Sequence, residues 1–189
     1  MTIKEIETKL SKTLPIHSVD QLPQFPYKTY AEFLEGYRRG EVDVLATYYF
    51  KALSVLARKG ELILSHVLTW APYIVMMVSV PISFALKNFW ILLAIPMAGL
   101  GMLIGMIPGL MRAFGNKAFL VAVVGFIAAS IGGNLTAASL FGAYCFSGGL
   151  TIVARHQCAF IMRRGALQSE LILIWLYLEL KMQVRPSVG

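Results

Sequence analysis

The stretch AFLVAVVGFIAASIGGNLTAASLFGAYCFSGGLTIVA, residues 118–154, decides the fold class, because its 37 residues include no Asp, Glu, Lys or Arg. Two other uncharged stretches, 62–86 and 88–111, precede it. A helix crosses the hydrocarbon core of a bilayer with about 20 apolar residues. Only 14% of this chain is charged, whereas about 25% of an ordinary soluble domain is. The sequence therefore predicts an all-α integral membrane protein and excludes a soluble globule.

We predict a helical bundle of four membrane spans. The dipeptide Lys87–Asn88 separates the first two uncharged stretches and forms a tight hairpin turn. Residues 118–154 are too long for one span, and the Gly-Gly-Asn sequence at 132–134 is their strongest turn signal. A re-entrant arm is the alternative for 118–131, which measures only about 21 Å as a helix. The predicted spans are about 62–86, 89–111, 118–131 and 135–154.

Basic residues beside the spans predict the orientation. With the N-terminus inside, seven flanking Lys and Arg side chains face the cytoplasm and only Lys87 faces outward. We therefore expect both termini of this integral membrane protein to be cytoplasmic, in a bacterial inner membrane or a plasma membrane. The expected domains are a helical cap at 1–60, a transmembrane bundle at 61–165, and an interfacial or cytoplasmic amphipathic helix with a tail at 166–189.

Three helices are predicted in the cap. The pairs Thr2 with Glu5 and Thr29 with Glu32 match the capping box that begins many helices. A third helix is expected from Val42 to Lys59, because apolar residues recur there at helical spacing. Its apolar stripe either packs against the rest of the cap or contacts lipid.

Glycines repeat every fourth residue along the second predicted span. Small residues let membrane helices approach closely, and such packing matters because lipid supplies no hydrophobic drive between helices. The partner helix belongs either to the same chain or to a neighbouring subunit, and we expect a homo-oligomer. The stripe consists of Gly101, Gly105 and Gly109.

Polar side chains of the last predicted span form a candidate pore lining. At helical spacing four hydroxyl residues fall within an arc of about 120°, with Asn134 at the outer mouth and Arg155 at the inner one. The alternative is that these hydroxyls hydrogen-bond neighbouring helices. His66 and His156 are either structural or pH-sensitive. The four hydroxyl residues are Thr136, Ser139, Ser147 and Thr151.

The missing acids weigh against ion-coupled carriers and against membrane enzymes that act on phosphates or lipids. No Asp or Glu lies between Leu62 and Ala154, whereas ion-coupled carriers usually keep an intramembrane acid. Cys145, His156 and Cys158 are one ligand short of a zinc site, so we expect no metal or other cofactor.

Three function classes remain, ranked by these features. The expected partners are the lipid bilayer, further copies of the chain and other membrane-complex subunits. Nucleic acid is not expected, because the basic residues do not form a cluster. The sequence favours a non-enzymatic, self-associating component of a membrane complex, with a pore or channel as its most specific version. A scaffold or accessory subunit of a transport or secretion machine is the alternative, and a membrane enzyme comes last.

Overall fold

A computed structural model describes residues 2–47, 49–107 and 116–186 of the chain. These residues are mostly helical, which confirms the all-α class. The chain divides into two compact units. The terminal unit comprises residues 1–62 and 156–189, and the central unit comprises residues 63–155. In chain order the elements are α1 (Ile3–Thr13), α2 (Tyr30–Arg38), β1 (Val42–Ala46), α3 (Phe50–Leu56), α4 (Lys59–Ala85), α5 (Ala94–Met106), α6 (Asn116–Ile131), α7 (Leu135–Gln168), α8 (Glu170–Leu178) and β2 (Met182–Pro186).

Both predicted capping boxes of the terminal unit are confirmed. The Glu5 amide donates to Thr2 Oγ1, and the Glu5 carboxylate accepts from the Thr2 amide. Thr29 and Glu32 make the same reciprocal contacts at the start of α2. Each box satisfies two amide groups that the first helical turn leaves without a backbone partner.

The predicted helix from Val42 to Lys59 is wrong in its first half. Residues 42–46 form strand β1, and α3 covers only Phe50–Leu56. Burial alternates along β1: Val42 and Val44 are buried, whereas Leu45 is 46% exposed. β1 pairs antiparallel with β2, at the other end of the chain. Such a distant partner leaves no signal in the local spacing of apolar residues.

Helix α8 lies at the core of the terminal unit. Five consecutive residues, Ile172 to Leu176, are buried, so the predicted amphipathic character of this helix is wrong. The carboxylate of Glu170 at its start accepts a hydrogen bond from the Val19 amide at 2.9 Å. The Tyr177 hydroxyl at its end donates to the Pro23 carbonyl. The extended segment after α1 thus supplies polar partners at both ends of α8.

Among the described residues, three helices are long and apolar enough to cross a membrane. They are Lys59–Ala85, Phe89–Met106 and Leu135–Gln168. The second of these consists of a short 3-10 helix, Phe89–Leu93, followed directly by α5. The predicted span 118–131 falls on α6, a shorter apolar helix, so the four-span bundle is not confirmed. The predicted end of the second span, at residue 111, lies outside the described residues.

The last apolar helix is longer than expected. α7 runs without a break from Leu135 to Gln168, whereas the prediction ended it at residue 154. The charged residues after 154 end the apolar stretch, but they do not end the helix. Residues 155–168 include no proline and only one glycine, Gly165, so nothing in them stops the helix.

Two tight turns of the central unit are found where they were predicted. Lys87, with a φ of 50°, follows α4, and the Asn88 amide donates to the Ser83 carbonyl. Gly133, with a φ of 70°, lies between α6 and α7. Glycine suits this position because a left-handed backbone is unfavourable for residues with a Cβ atom.

Candidate functional site

The glycine stripe of α5 contacts α7 of the same chain. A Cβ atom built at Gly101 would lie 2.4 Å from the carbonyl oxygen of Tyr144, and one at Gly105 would lie 3.0 Å from that of Gly148. Conversely, a Cβ atom at Gly148 would lie 3.2 Å from the Gly101 carbonyl oxygen. The two backbones therefore approach each other closely at Gly101, Gly105 and Gly148, and the Thr151 side chain lies beside Gly105. Gly109, the third residue of the predicted stripe, lies outside the described residues.

Small side chains extend this close packing within the central unit. Ala94 and Ala98 of α5 and Ala143 of α7 form a buried cluster. Val75 and Met76 of α4 pack against it. The contact surface of these three helices is thus made of alanine and glycine, with larger residues at its border.

Asn134 and Thr136, at the start of α7, take part in turn structure. The Asn134 side-chain oxygen accepts the Ala137 amide at 3.0 Å, which caps the helix. The Asn88 side-chain amide donates to Thr136 Oγ1 at 2.7 Å. This bond joins the two turns of the central unit. Within the first turn, the Asn88 side-chain oxygen also accepts the Trp90 amide.

The other three hydroxyl residues of the predicted lining differ in their surroundings. The hydroxyl groups of Ser139 and Thr151 donate to the backbone carbonyls of Leu135 and Ser147, one turn earlier in the same helix. Ser139 also borders an apolar cleft of about 430 Å³ in the central unit. Ser147 is fully buried, and its hydroxyl has no hydrogen-bond partner among the described residues. The four hydroxyl groups of the predicted lining therefore differ in burial and in hydrogen-bond partner, and their role as a pore lining stays a prediction.

Arg155 contacts the end of α5. Its Nη1 atom donates to the carbonyl oxygen of Gly105 at 3.0 Å. The last carbonyls of a helix lack amide partners and carry partial negative charge, so a guanidinium group is favourable there. The contact also explains how a cation is accommodated beside three apolar helices.

The two histidines proposed as pH-sensitive belong to different units. His66 is half-buried on α4 in the central unit. His156 is exposed on α7 in the terminal unit. Cys145 and Cys158, two of the three residues compared above with a zinc site, are both buried free thiols. Across residues 2–47, 49–107 and 116–186, no group of three His, Cys, Asp or Glu side chains is placed to hold a metal ion.

A charged pair that the sequence analysis did not single out connects α4 and α7 in the terminal unit. Arg164 donates to both carboxylate oxygens of Glu61, at 2.5 and 2.8 Å. Their side chains are only 22% and 25% exposed. Glu61 also accepts the Arg58 amide at 2.8 Å, and Gln157 donates to the Glu61 carbonyl at 3.1 Å. The available signal was that Glu61 is the last acid before the uncharged stretch at 62–86.

A cavity of about 700 Å³ opens beside this pair. α1, the junction of α3 and α4, the last turns of α7, and α8 enclose it. Arg58, Lys59 and Arg164 line it together with apolar side chains such as Ile6 and Ile172. Its lining is more polar than that of the apolar cleft beside Ser139.

The close-packed α5–α7 contact and the charged cavity are the two features of the described residues that bear on function. No protein family model, curated protein or solved structure matches the chain.

Proposed function

We propose that this chain is a non-enzymatic membrane protein that self-associates as a structural component of a membrane complex. The observation that carries the proposal is how little of each apolar helix the chain buries against itself. In the apolar 18-residue segments of Lys59–Ala85, Phe89–Met106 and Leu135–Gln168, only 22%, 28% and 33% of the segment is buried within the chain. The remaining surface is open to lipid and to further protein.

The exposed surface is rich in large side chains that suit a membrane environment. Trp70, Met77 and Trp90 are 60%, 73% and 70% exposed. Exposed apolar surface on this scale marks a protein or membrane contact rather than a surface in water. Tryptophan is typical of the boundary between lipid and water.

A scaffold is favoured over a pore by the use of polar groups within one chain. Thr136 bonds to Asn88, Ser139 and Thr151 bond to their own helix, and Arg155 bonds to Gly105. Groups committed in this way are poorly placed to replace the water of a permeating ion. The pore remains the second candidate because Ser139 borders the apolar cleft of the central unit, where another copy would complete a lining.

The proposed location follows from charge. Four of the seven basic side chains expected at the cytoplasmic face, Arg58, Lys59, Arg163 and Arg164, belong to the terminal unit. We therefore assign this unit to the cytoplasm and the central unit, which contains the uncharged stretches, to the bilayer. The proposal includes no catalytic role, because the central unit lacks the carboxylates that membrane enzymes use for acid–base or metal chemistry.

Particle mass and conductance together test the proposal. The full chain is purified in a mild detergent, its mass is measured by light scattering, and the same particle is placed in a planar bilayer. We expect a protein mass that is a multiple of 20.9 kDa, and no conductance. A single-copy particle would contradict self-association.

A conducting particle would replace the scaffold with the pore. In that case a thiol reagent should block the current of Ser139→Cys but not that of the wild type, whose two cysteines are buried. Phe160→Cys, a 61% exposed position of α7 in the terminal unit, is the matched control for labelling outside the lining.

A further inference from the structure

The charged cavity of the terminal unit has more positive than negative charge. Three cationic side chains line it, and none of its described lining residues is acidic. Arg164 is neutralised by Glu61. Arg58 and Lys59 are exposed and take part in none of the ion pairs found in the described residues. Among the described residues, neither of these two cations therefore forms an ion pair within 4.0 Å, although the charge of Arg58 also acts on the Glu61 carboxylate.

The helix that begins at the cavity adds to this positive potential. Lys59 is the first residue of α4, which has 27 residues. Aligned peptide dipoles place about half a positive charge at the N-terminus of a helix, where anions are stabilised and cations are not. Glu61 meets part of this demand through its bond to the Arg58 amide, but its carboxylate is also held by Arg164. Arg58, Lys59 and the N-terminus of α4 would together stabilise an additional anion.

Part of the cavity lining, called here the apolar wall, is made of apolar side chains. Ile3, Ile6, Leu56, Leu62 and Ile172 contribute to it. Leu62 also begins the stretch of α4 that carries no charge as far as Leu86. A cavity of about 700 Å³ is within the roughly 300–1,000 Å³ range of small-molecule sites. The cavity therefore matches a ligand that has an anionic end and an apolar end.

We propose that this cavity binds the phosphate group of an anionic phospholipid, held by Arg58 and Lys59. Both side chains donate charge-assisted hydrogen bonds to phosphate oxygens, and the acyl chains contact the apolar wall. Basic pockets beside membrane helices on the cytoplasmic side bind such headgroups in general. The proposal rests on the membrane location proposed above but not on self-association, so a failed mass measurement leaves it intact.

Lipid titrations of the full chain test the site. The protein in an uncharged detergent is titrated with dioleoyl phosphatidylglycerol, dioleoyl phosphatidylcholine and glycerol 3-phosphate, and bound ligand is counted by native mass spectrometry. We expect phosphatidylglycerol to bind most tightly. The double variant Arg58→Gln/Lys59→Gln should bind it about 30-fold more weakly at low salt, because each basic residue contributes about 1 kcal/mol to such binding.

Two variants separate the cavity from general charge. Lys28→Gln/Arg38→Gln removes the same charge from exposed positions of the terminal unit outside the cavity, and it should bind like the wild type. Arg58→Lys/Lys59→Arg preserves the cavity's charge and should bind the lipid within a fewfold of the wild type.

Three results would overturn the proposal. The first two are equal binding of the two lipids by the wild type and unchanged phosphatidylglycerol binding by the Arg58→Gln/Lys59→Gln variant. The third is glycerol 3-phosphate binding as tightly as the lipid, which would indicate that the ligand is a soluble phosphate ester. Wild-type salt dependence provides a test that does not depend on how the variants fold. Raising the salt from 0.05 to 0.5 M should weaken phosphatidylglycerol binding and leave phosphatidylcholine binding unchanged.

Discussion

At Gly101 one added methyl group determines whether α5 and α7 keep their contact. The Cβ atom of Gly101→Ala would lie 2.4 Å from the Tyr144 carbonyl oxygen, so one backbone has to move. Overpacking of this kind costs about 1–3 kcal/mol. We expect a lower thermal midpoint for the detergent-solubilised protein. Gly99→Ala is the control, because its Cβ would meet only Met76 Cε at 3.7 Å. Equal midpoints for the two variants would show that this contact does not stabilise the central unit.

Tyr30 gives the terminal unit a pH dependence at high pH. Burial, together with the negative charges of Glu170 and Glu7, raises its pKa from 10.0 to about 12. The folded protein therefore keeps the hydroxyl proton at a pH where the unfolded chain has lost it, so this residue's contribution to stability is complete below pH 10 and is lost as the pH rises to 12.

Tyr30→Phe isolates this effect. The variant loses the hydrogen bond to the Ala166 carbonyl, so it should be less stable than the wild type at pH 8. The difference in thermal midpoint should shrink between pH 10 and pH 11. A difference that stays constant with pH would contradict the raised pKa, and Tyr73→Phe, 44% exposed, is the control.

At the scale of elements, the charged pair Glu61–Arg164 joins the start of α4 to the later turns of α7. Removing either partner leaves a half-buried charge with fewer hydrogen bonds. We expect Glu61→Gln and Arg164→Gln each to lower the free energy of unfolding by about 2 kcal/mol. The double variant should cost less than the sum, by roughly 1 kcal/mol. Denaturant titration of the four proteins measures this coupling, and strictly additive losses would show that the two side chains act independently.

Local and distant interactions explain which elements the sequence could predict. The capping boxes at Thr2 and Thr29 lie within four residues of sequence, so their geometry could be read directly. Strand β1 depends on a partner in which Pro186 pairs with Val42, and residues 42–59 alone fit a helix equally well. The Glu170 carboxylate accepts a hydrogen bond from the Val19 amide, a contact between distant parts of the chain that no local pattern indicates.

The candidate site residues divide in the same way. The spacing of Gly101 and Gly105 predicted a close helix contact, and the choice between its own chain and a neighbour required coordinates. Helical spacing also placed Ser139 and Thr151 on one face, but spacing does not reveal that each hydroxyl bonds to its own helix. The Glu61–Arg164 pair spans 103 residues, so nothing local indicated it.

At the scale of the whole molecule, both chain ends belong to one unit. Residues 1–62 and 156–189 share a core that includes Phe33, Leu53 and Ile172. If the terminal unit lies in water on one side of the bilayer, as proposed above, the intervening chain has to cross the membrane and return to that side, because its apolar stretches belong in lipid. An even number of membrane crossings places both ends of the chain on the same side. The three long helices alone would give an odd number, so α6 becomes the element that decides the topology.

The membrane crossing of α6 is therefore our last prediction. Its 16 residues span about 24 Å, somewhat less than the roughly 30 Å hydrocarbon core, and a locally thinned bilayer accommodates that difference. We expect a membrane-impermeant thiol reagent to label Lys87→Cys and Gly132→Cys from the outside and Lys117→Cys only after the membrane is opened. The native cysteines are buried, which keeps the background low. Outside labelling of Lys87→Cys combined with inside labelling of Gly132→Cys would identify α6 as a re-entrant arm, and α7 would then place the two parts of the terminal unit on opposite sides. Because those parts share one core, that outcome would contradict the fold as well as the topology.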